Sequence, residues 1–378
     1  MVQARLGWDW RRRCWWLLWS RCPGIGWVRL RQLEMACGGL EAAWEASAVS
    51  LSSLSGWNRG LIGQVERFRA RWGADPLPRF CRSEGWGRRA LLPGDLRWPE
   101  GISQLERPPL VLHWQGRGSL WVPLQQRRAV AVVGTRRPSA HGLAMARRLG
   151  AALAQAGWPV VSGLAEGIDA AAHQGCLEAG GVPVGVLGTP LERVYPRHHR
   201  VLQASVGSRG LLVSEQPQGA AVQAAHFARR NRLQVALACA LVVVECPEAS
   251  GALHSADLAW KQGLPLWAVP ADAARSSALG SNRLLVRGAT PLLDPAELIH
   301  QLGPGPLFAR GQGPGPLRPP GPVDRHQGRL LKAVGEGASL EQLSLMLERP
   351  APELTKDLLD LELAGLVRSE PGLRWRPC

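Results

Sequence analysis

Several short segments rich in Gly, Ser, Thr and Arg stand where an apolar run gives way to a helical pattern. The first is Gly134-Thr135-Arg136-Arg137-Pro138-Ser139, after the run AVAVV at 129–133. Gly134 lets backbone approach a ligand. Ser139 can cap a helix whose free N–H groups then face an anion. Arg136 and Arg137 add planar, permanently charged forks suited to phosphate. A second segment, Ser162 to Asp169, contributes Gly163 and Gly167 and leads into a helix that Asp169 caps or whose loop it braces. Later segments bring Gly188, Thr189, Tyr195 and Arg197, then Ser214 and Glu215, and finally Ser250 and Gly251. Arg229, Arg230, Asn231 and Arg232 are expected just ahead of a helix from about Asn231. Helix N-termini beside several arginines make a cradle for a polyphosphate or nucleic acid, and a mononucleotide pocket would use the same parts.

These segments need a scaffold that delivers them to one edge. Apolar runs at 129–133, 159–161, 182–187, 211–213, 241–245 and 266–269 alternate with helical patterns over 139–157 and from about 169, 231 and 253. Strand–helix alternation of this kind predicts a doubly wound, Rossmann-like parallel sheet, whose ligands gather at the carboxyl ends of the strands. Residues 1–85 read as a small N-terminal domain of short helices, residues 86–302 as the sheet domain, and 303–322 as a Pro/Gly-rich linker. Residues 323–378 show three helical patterns, then a strand, a turn at Pro371-Gly372 and another strand, the order of a winged helix. Pro23-Gly24-Ile25-Gly26 is read as a tight interhelix turn, although the same pattern serves helix-hairpin-helix units that hold DNA phosphates.

Composition narrows the chemistry. The net charge is +15 over 378 residues, which favours polyanionic partners, although nearly all the cations are Arg, as a GC-rich genome would also produce. Seventeen Trp, most of them before residue 129, are read as core rather than as stacking platforms. The eight Cys show no CxxC spacing, so no metal is expected and reduced thiols in the cytoplasm are. The apolar run WWLLW is too short for a secretion signal, and nothing approaches a membrane span. The chain has neither GxGxxG after the first strand nor GxxxxGK[ST], which disfavours dinucleotide dehydrogenases and P-loop ATPases, and it lacks a GxSxG elbow. His173 lies one helical turn beyond Asp169 and is read as packing rather than acid–base chemistry; Glu215 and Glu245 near strand ends leave a two-carboxylate site open.

The segments VAVVGTRRPSAHG, VVSGLAEGIDAAAH, VLGTPLERVYP, LLVSEQPQG, HFARRNR, VVVECPEASGALHSA and GSNRLLVRGA stand in order. Together they resemble the DNA-processing protein A (DprA/Smf) family, and the likeness extends to PGIG near residue 24 and to LLDLELAGLVRSEPGLRWRP at the C-terminal end. The resemblance implies a cytoplasmic homodimer without enzymatic activity or cofactor. It implies binding of single-stranded DNA, protection of incoming DNA, and loading of the recombinase RecA during natural transformation. Carried over by position, it marks Arg136, Gly163, Gly167, Arg197, Ser214, Glu215, Arg230, Asn231, Arg232, Ser250 and Gly251 as DNA-binding, and Gly134, Thr135, Arg137 and Ser139 of the first loop are expected to join them. The chain departs from the family pattern at Glu166, Pro190, Glu192, Ala228, His254 and Ala271. The competing enzymatic reading is a nucleotide hydrolase, phosphoribohydrolase-like, on a related fold; it would want a PGGxGT run that is missing here.

Overall fold

A computed structural model of the chain describes residues 8–83, 89–308, 325–335, 337–364, 366–370 and 374–377. It divides into two compact units: residues 1–98, 106–112 and 322–378 make one, and residues 99–105 and 113–321 the other.

In the first unit, short helices run over Trp10–Trp19, Trp27–Ala36, Leu40–Glu45, Ala48–Ser52, Arg59–Trp72 and Leu77–Ser83, followed by a two-residue strand β1 (Ala90–Leu91). Three of the starts carry side-chain caps: Asp9, Ser47 and Asn58 accept from the backbone N–H of Arg12, Ser50 and Leu61. The tryptophans are core. Trp15, Trp16, Trp19 and Trp44 pack with Leu30, Leu33, Val65 and Phe80. The indoles of Trp16, Trp19 and Trp44 donate to the carbonyls of Leu110, Leu40 and Gly73, satisfying their polar ends. Pro23 to Gly26 is a tight interhelix turn, with Gly24 at φ 78° and Ile25 buried.

The second unit is built on β2 (Leu112–Gly116), β3 (Val130–Val133), β4 (Val160–Ser162), β5 (Pro183–Leu187), β6 (Leu211–Ser214), β7 (Ala240–Val243), β8 (Leu266–Ala268) and β9 (Thr290–Pro291). Their order is β2-β6-β5-β4-β3-β7-β8-β9. Strands β3 to β9 pair in parallel, joined by intervening helices as in the doubly wound class. From β3 the chain winds outward through β4, β5 and β6, then returns to lay β7 on the other side of β3. The topological switch point therefore falls between β3 and β7, and a crevice opens beyond their carboxyl ends. β2 was not foreseen in the sequence. It pairs antiparallel with β6, with Trp114 opposite Val213, and its HWQG pattern carries only half-buried alternation.

Val130 and Val132 of β3 pack against Met145, Leu149 and Leu153 of helix Ala140–Gln155 and against Ala171 and Ala172 of helix Ile168–Glu178. These two helices approach closely because two glycines face across them. A Cβ at Gly150 would lie 2.1 Å from the Ala172 carbonyl oxygen, and one at Gly175 would lie 1.9 Å from that of Arg147. On the other face of the sheet lie helices Ala224–Ala236 and Gly251–Lys261. The first of these corrects the sequence expectation. It begins after Gln223, not at about Asn231, because Ala224 to Arg230 contains no Gly or Pro and continues the same apolar spacing. Arg229 to Arg232 consequently sit inside a helix instead of ahead of one.

In the C-terminal part of the first unit, helices Arg325–Val334, Leu340–Leu347 and Ala351–Leu363 combine with β10 (Ala338–Ser339), β11 (Val367–Glu370) and β12 (Arg374–Pro377). The three strands form a small antiparallel sheet in the order β10-β12-β11, and Leu330, Leu343, Leu354, Leu358 and Trp375 make its core. This is the winged-helix arrangement. The Pro371-Gly372 turn, the 85/86 boundary and most of the expected linker (309–322) lie outside the described residues. No described helix is long and apolar enough to cross a membrane.

The helix–helix glycines give a test of packing. Gly150→Val forces a branched side chain against backbone, an overpacking that costs about 1–3 kcal/mol. The urea midpoint should fall accordingly, with secondary structure at zero denaturant unchanged.

Candidate nucleic-acid interface

The loop from Gly134 to Ser139 leaves β3 at the switch point, and its shape is set by one carboxylate. Glu245, 2% exposed, stands two residues beyond the carboxyl end of β7. Its oxygens accept from the Ser139 N–H (3.1 Å to each), from Ser139 Oγ (2.7 Å) and from Ser277 Oγ (2.6 Å). Its own carbonyl accepts from the Thr135 N–H at 2.7 Å. Ser139 Oγ then accepts from the Gly142 N–H, capping helix Ala140–Gln155. The carboxylate fits here because position 142 is glycine: a Cβ there would stand 2.2 Å from Glu245 Oε2. With both ends of the loop fixed, Arg136 and Arg137 project outward and are exposed. No carboxylate among the described residues pairs with Arg136, Arg137 or Arg197.

The second loop, Ser162 to Asp169, is locked to the first. Ser162 Oγ donates to the Val132 carbonyl at 2.6 Å, and the Ile168 N–H donates to the Thr135 carbonyl at 3.2 Å. Gly167 has φ 79°, and a Cβ there would lie 2.4 Å from the Thr135 oxygen, so this close approach requires glycine. Asp169 does not cap its helix; it braces the loop by accepting from the Gly163 N–H at 3.1 Å. Burial raises the Asp169 carboxyl above the usual range, and the charge of Arg230 is the largest opposing influence.

Arg230 lies inside the site. It is 4% exposed, donates to the Val186 carbonyl, and donates from Nε to Asn231 Oδ1 at 3.1 Å. A Cβ on Gly163 would overlap its guanidinium, 1.8 Å from one terminal nitrogen, so Gly163 makes room for the cation. Burial lowers the Arg230 guanidinium, Asp169 acts against that lowering, and Arg136 adds to it.

These elements enclose an open cleft of about 660 Å³. Of the residues marked from sequence, Gly134, Thr135, Arg136, Arg137, Arg230, Asn231, Ser250 and Gly251 line it. Gly163 lines an adjoining depression with Arg136, Arg230, Glu166, Tyr195 and Phe227. Six marked residues line neither. Ser139 and Gly167 shape the loops as described. Ser214, fully buried, donates to the Thr189 carbonyl. Glu215 and Arg232 pair with each other, at 7% and 19% side-chain exposure. Arg197 is exposed at the start of a short turn beside His198 and His199.

Sequence reasoning missed Phe227 and gave Tyr195 no role. Their rings lie 4.8 Å apart, Tyr195 is 47% exposed, and the Arg136 guanidinium carbon sits 5.8 Å from the Phe227 ring centre. The signal was present in HFARRNR, one helical turn before Asn231. Glu245 was noticed only as a carboxylate near a strand end; its part as the anchor of the arginine loop depends on Ser277, 32 residues away, which no spacing rule connects to it.

Residues 89–303 match the family model described as DNA recombination-mediator protein A, and residues 314–372 match the DprA winged helix domain. The chain is 31% identical over 393 residues to Protein Smf of Synechocystis sp., covering 96% of this chain and 98% of that protein. The chain belongs to the DNA recombination-mediator protein A (DprA/Smf) family. The fold agrees with the crystal structure of DNA processing protein A from Streptococcus pneumoniae, at a TM-score of 0.63 and 23% identity, covering 78% of this chain and 99% of that one. DNA processing protein A from Helicobacter pylori, studied for its single-stranded DNA binding mode, matches at a TM-score of 0.51 and 29% identity, covering 57% and 95%. At one side of the sheet edge of this DprA/Smf protein, Glu166 faces His198 at 3.4 Å.

Behind the cleft, His173 is fully buried, and burial drives it down from 6.5 to about 3. Below pH about 6.5 the unfolded chain takes up a proton there that the folded chain refuses until about pH 3, so folding weakens as pH falls through that window. Asp169, with its raised carboxyl, contributes in the opposite sense, since the folded state holds its proton more readily. In His173→Leu the Asp169 contribution remains and the histidine contribution is gone. The stability difference between wild type and His173→Leu should therefore drift against wild type by about 1.4 kcal/mol per pH unit between about pH 6 and pH 4. Urea titrations of both proteins across that range measure the drift, and parallel profiles would show that His173 does not stay neutral.

Proposed function

We propose that this chain binds single-stranded DNA along the rim formed by the 134–139 and 162–169 loops and helix Ala224–Ala236. In this reading it protects incoming DNA and delivers it to the recombinase RecA during natural transformation, acting in the cytoplasm as a homodimer and without catalysis. The observation that carries the reading is the Arg136 loop. Two exposed guanidinium groups without a carboxylate partner are carried at the switch point on a loop whose backbone end is anchored at Ser139, beside a depression walled by Tyr195 and Phe227.

The arrangement suits a single strand in particular. Arg136 and Arg137 meet the backbone phosphates, and Arg197 extends the positive edge. Tyr195 and Phe227 offer ring faces to an unstacked base, a contact closed to bases inside a duplex. Such stacking tolerates any base, as a protein that handles DNA of arbitrary sequence needs. An enzymatic reading finds less support. A hydrolase would need a carboxylate or imidazole free to act in the cleft. Of the groups lining or backing the main cleft, Glu245 is engaged by Ser139 and Ser277, Asp169 by Gly163, and His173 is buried with its imidazole pushed down to about 3; Glu166, in the adjoining depression, faces His198 at 3.4 Å.

Fluorescence anisotropy with a labelled oligothymidine across a salt series tests the proposal. Each phosphate contact on a single strand contributes a slope of about −0.7 in log affinity against log salt. Arg136→Ala should weaken binding by about tenfold and flatten the slope by about 0.7, while the thermal midpoint holds, because an exposed unpaired arginine adds little to stability. Affinity that ignores salt, or that survives Arg136→Ala unchanged, would remove the rim from consideration.

A further inference from the structure

The third helix of a winged-helix module is ordinarily the one laid into a DNA groove, with one face packed in its own domain and the other open to solvent. In this chain the solvent side of helix Ala351–Leu363 is reduced to a half-buried stripe of Glu353, Lys356, Asp357 and Asp360. Leu354, Leu358 and Leu361 fill the module's own core. Thr355, Leu359 and Glu362, the next stripe around the helix, are 7%, 4% and 9% exposed, and Leu359 is not part of that core. From Ala351 to Glu362 no residue is exposed.

What covers the helix is the N-terminal part of the same compact unit. The helix packs against Trp10–Trp19, and the guanidinium of Arg89 donates to Ser369 Oγ at 3.0 Å. Ser369 in turn donates from its backbone N–H and hydroxyl to Glu362. A group of charges is sealed at the junction. Asp360 accepts from Lys356 at 3.0 Å, and close by stands the buried Arg13–Asp95 pair, 4% and 3% exposed, with Arg13 also donating to the Ala90 carbonyl. Burial raises the Asp360 carboxyl, with Lys356 and Arg13 opposing. Burial lowers Arg97, with Asp360 opposing.

The charge of the helix is also wrong for a groove. It carries Glu353, Asp357, Asp360 and Glu362 against the single cation Lys356. Four carboxylates held against a phosphate backbone would be repelled, and the lone cation already has a partner.

We propose that the third helix of this winged-helix module is an intramolecular docking element, bound to the N-terminal helices of the same chain, and takes no part in reading DNA. The module braces the N-terminal helices and leaves nucleic acid to the sheet rim. The claim is independent of how the rim functions, since it concerns residues that the rim does not use.

Hydrogen–deuterium exchange on the full chain tests it, with Leu359→Arg and Arg97→Ala altering the junction from opposite sides. Each variant should speed amide exchange by about tenfold or more in both 351–363 and 89–98, because each releases a local opening shared by the two segments, while helix 140–155 keeps its protection. Acceleration confined to the altered side in both variants would overturn the docking. DNA binding gives a second measurement: Lys356→Ala should change affinity for a labelled duplex by less than about twofold, whereas a groove-reading helix would lose most of its affinity with its single cation. A duplex affinity that collapses in Lys356→Ala would overturn the proposal even if the exchange data favoured docking.

Discussion

The candidate site depends on the buried carboxylate of Glu245. Taking a carboxylate out of water is costly unless donors meet it. Here one backbone N–H and two hydroxyls do so, all from segments that converge only when the sheet has formed. Hydrogen bonds to a charged acceptor contribute about 1.5–3 kcal/mol each, enough to make the loop geometry part of the fold rather than a choice the loop makes on its own. The consequence is that Arg136 and Arg137 are exposed on a backbone segment whose two ends are anchored. A ligand meeting them loses less free energy to ordering than it would on a mobile loop.

The same economy explains why the arginines of the site are not equivalent. Arg230 is buried, its positive charge balanced against Asp169, and Gly163 is absent a side chain so that the guanidinium fits. Arg232 is committed to Glu215. These two hold the floor and the helix Ala224–Ala236 in place. Arg136, Arg137 and Arg197 stand on the outer edge, where a screened charge contributes little to stability and is free for a ligand. A motif that reads as a uniform basic stretch, ARRNR, is thus divided by the 100° turn of a helix between inner support and outer surface.

Much of this was legible from the chain alone, for identifiable reasons. Buried parallel strands are short runs of Val, Ala and Leu, and β3, β5, β6 and β7 could be read as such because both of their faces are covered. The Ser139 cap followed from residue type and position. The antiparallel β2 could not be read, since an edge strand of mixed exposure has no continuous apolar run. Nor could the start of the helix carrying Arg229 to Arg232, because Asn231 resembles a cap when its neighbours' packing is unknown. The anchoring role of Glu245 and the place of Phe227 escaped for a different cause: they arise from contacts across 106 and 91 residues, Ser139 to Glu245 and Arg136 to Phe227, which local pattern does not encode.

The distribution of aromatic residues completes the argument. The buried tryptophans of the N-terminal helices, Trp15, Trp16, Trp19 and Trp44, are committed to core, with three indole N–H groups bonded to carbonyls. They cannot also serve as a stacking surface without opening that core. The chain has one tyrosine and four phenylalanines in all, and Tyr195 and one of those phenylalanines, Phe227, meet at the rim beside Arg136. An abundant aromatic residue was spent on stability and a scarce one stands at the ligand edge. The reading of the tryptophans as core agrees with this division; what distinguishes Tyr195 is that it is nearly half exposed beside Arg136, a property of the folded sheet edge and of no segment taken by itself.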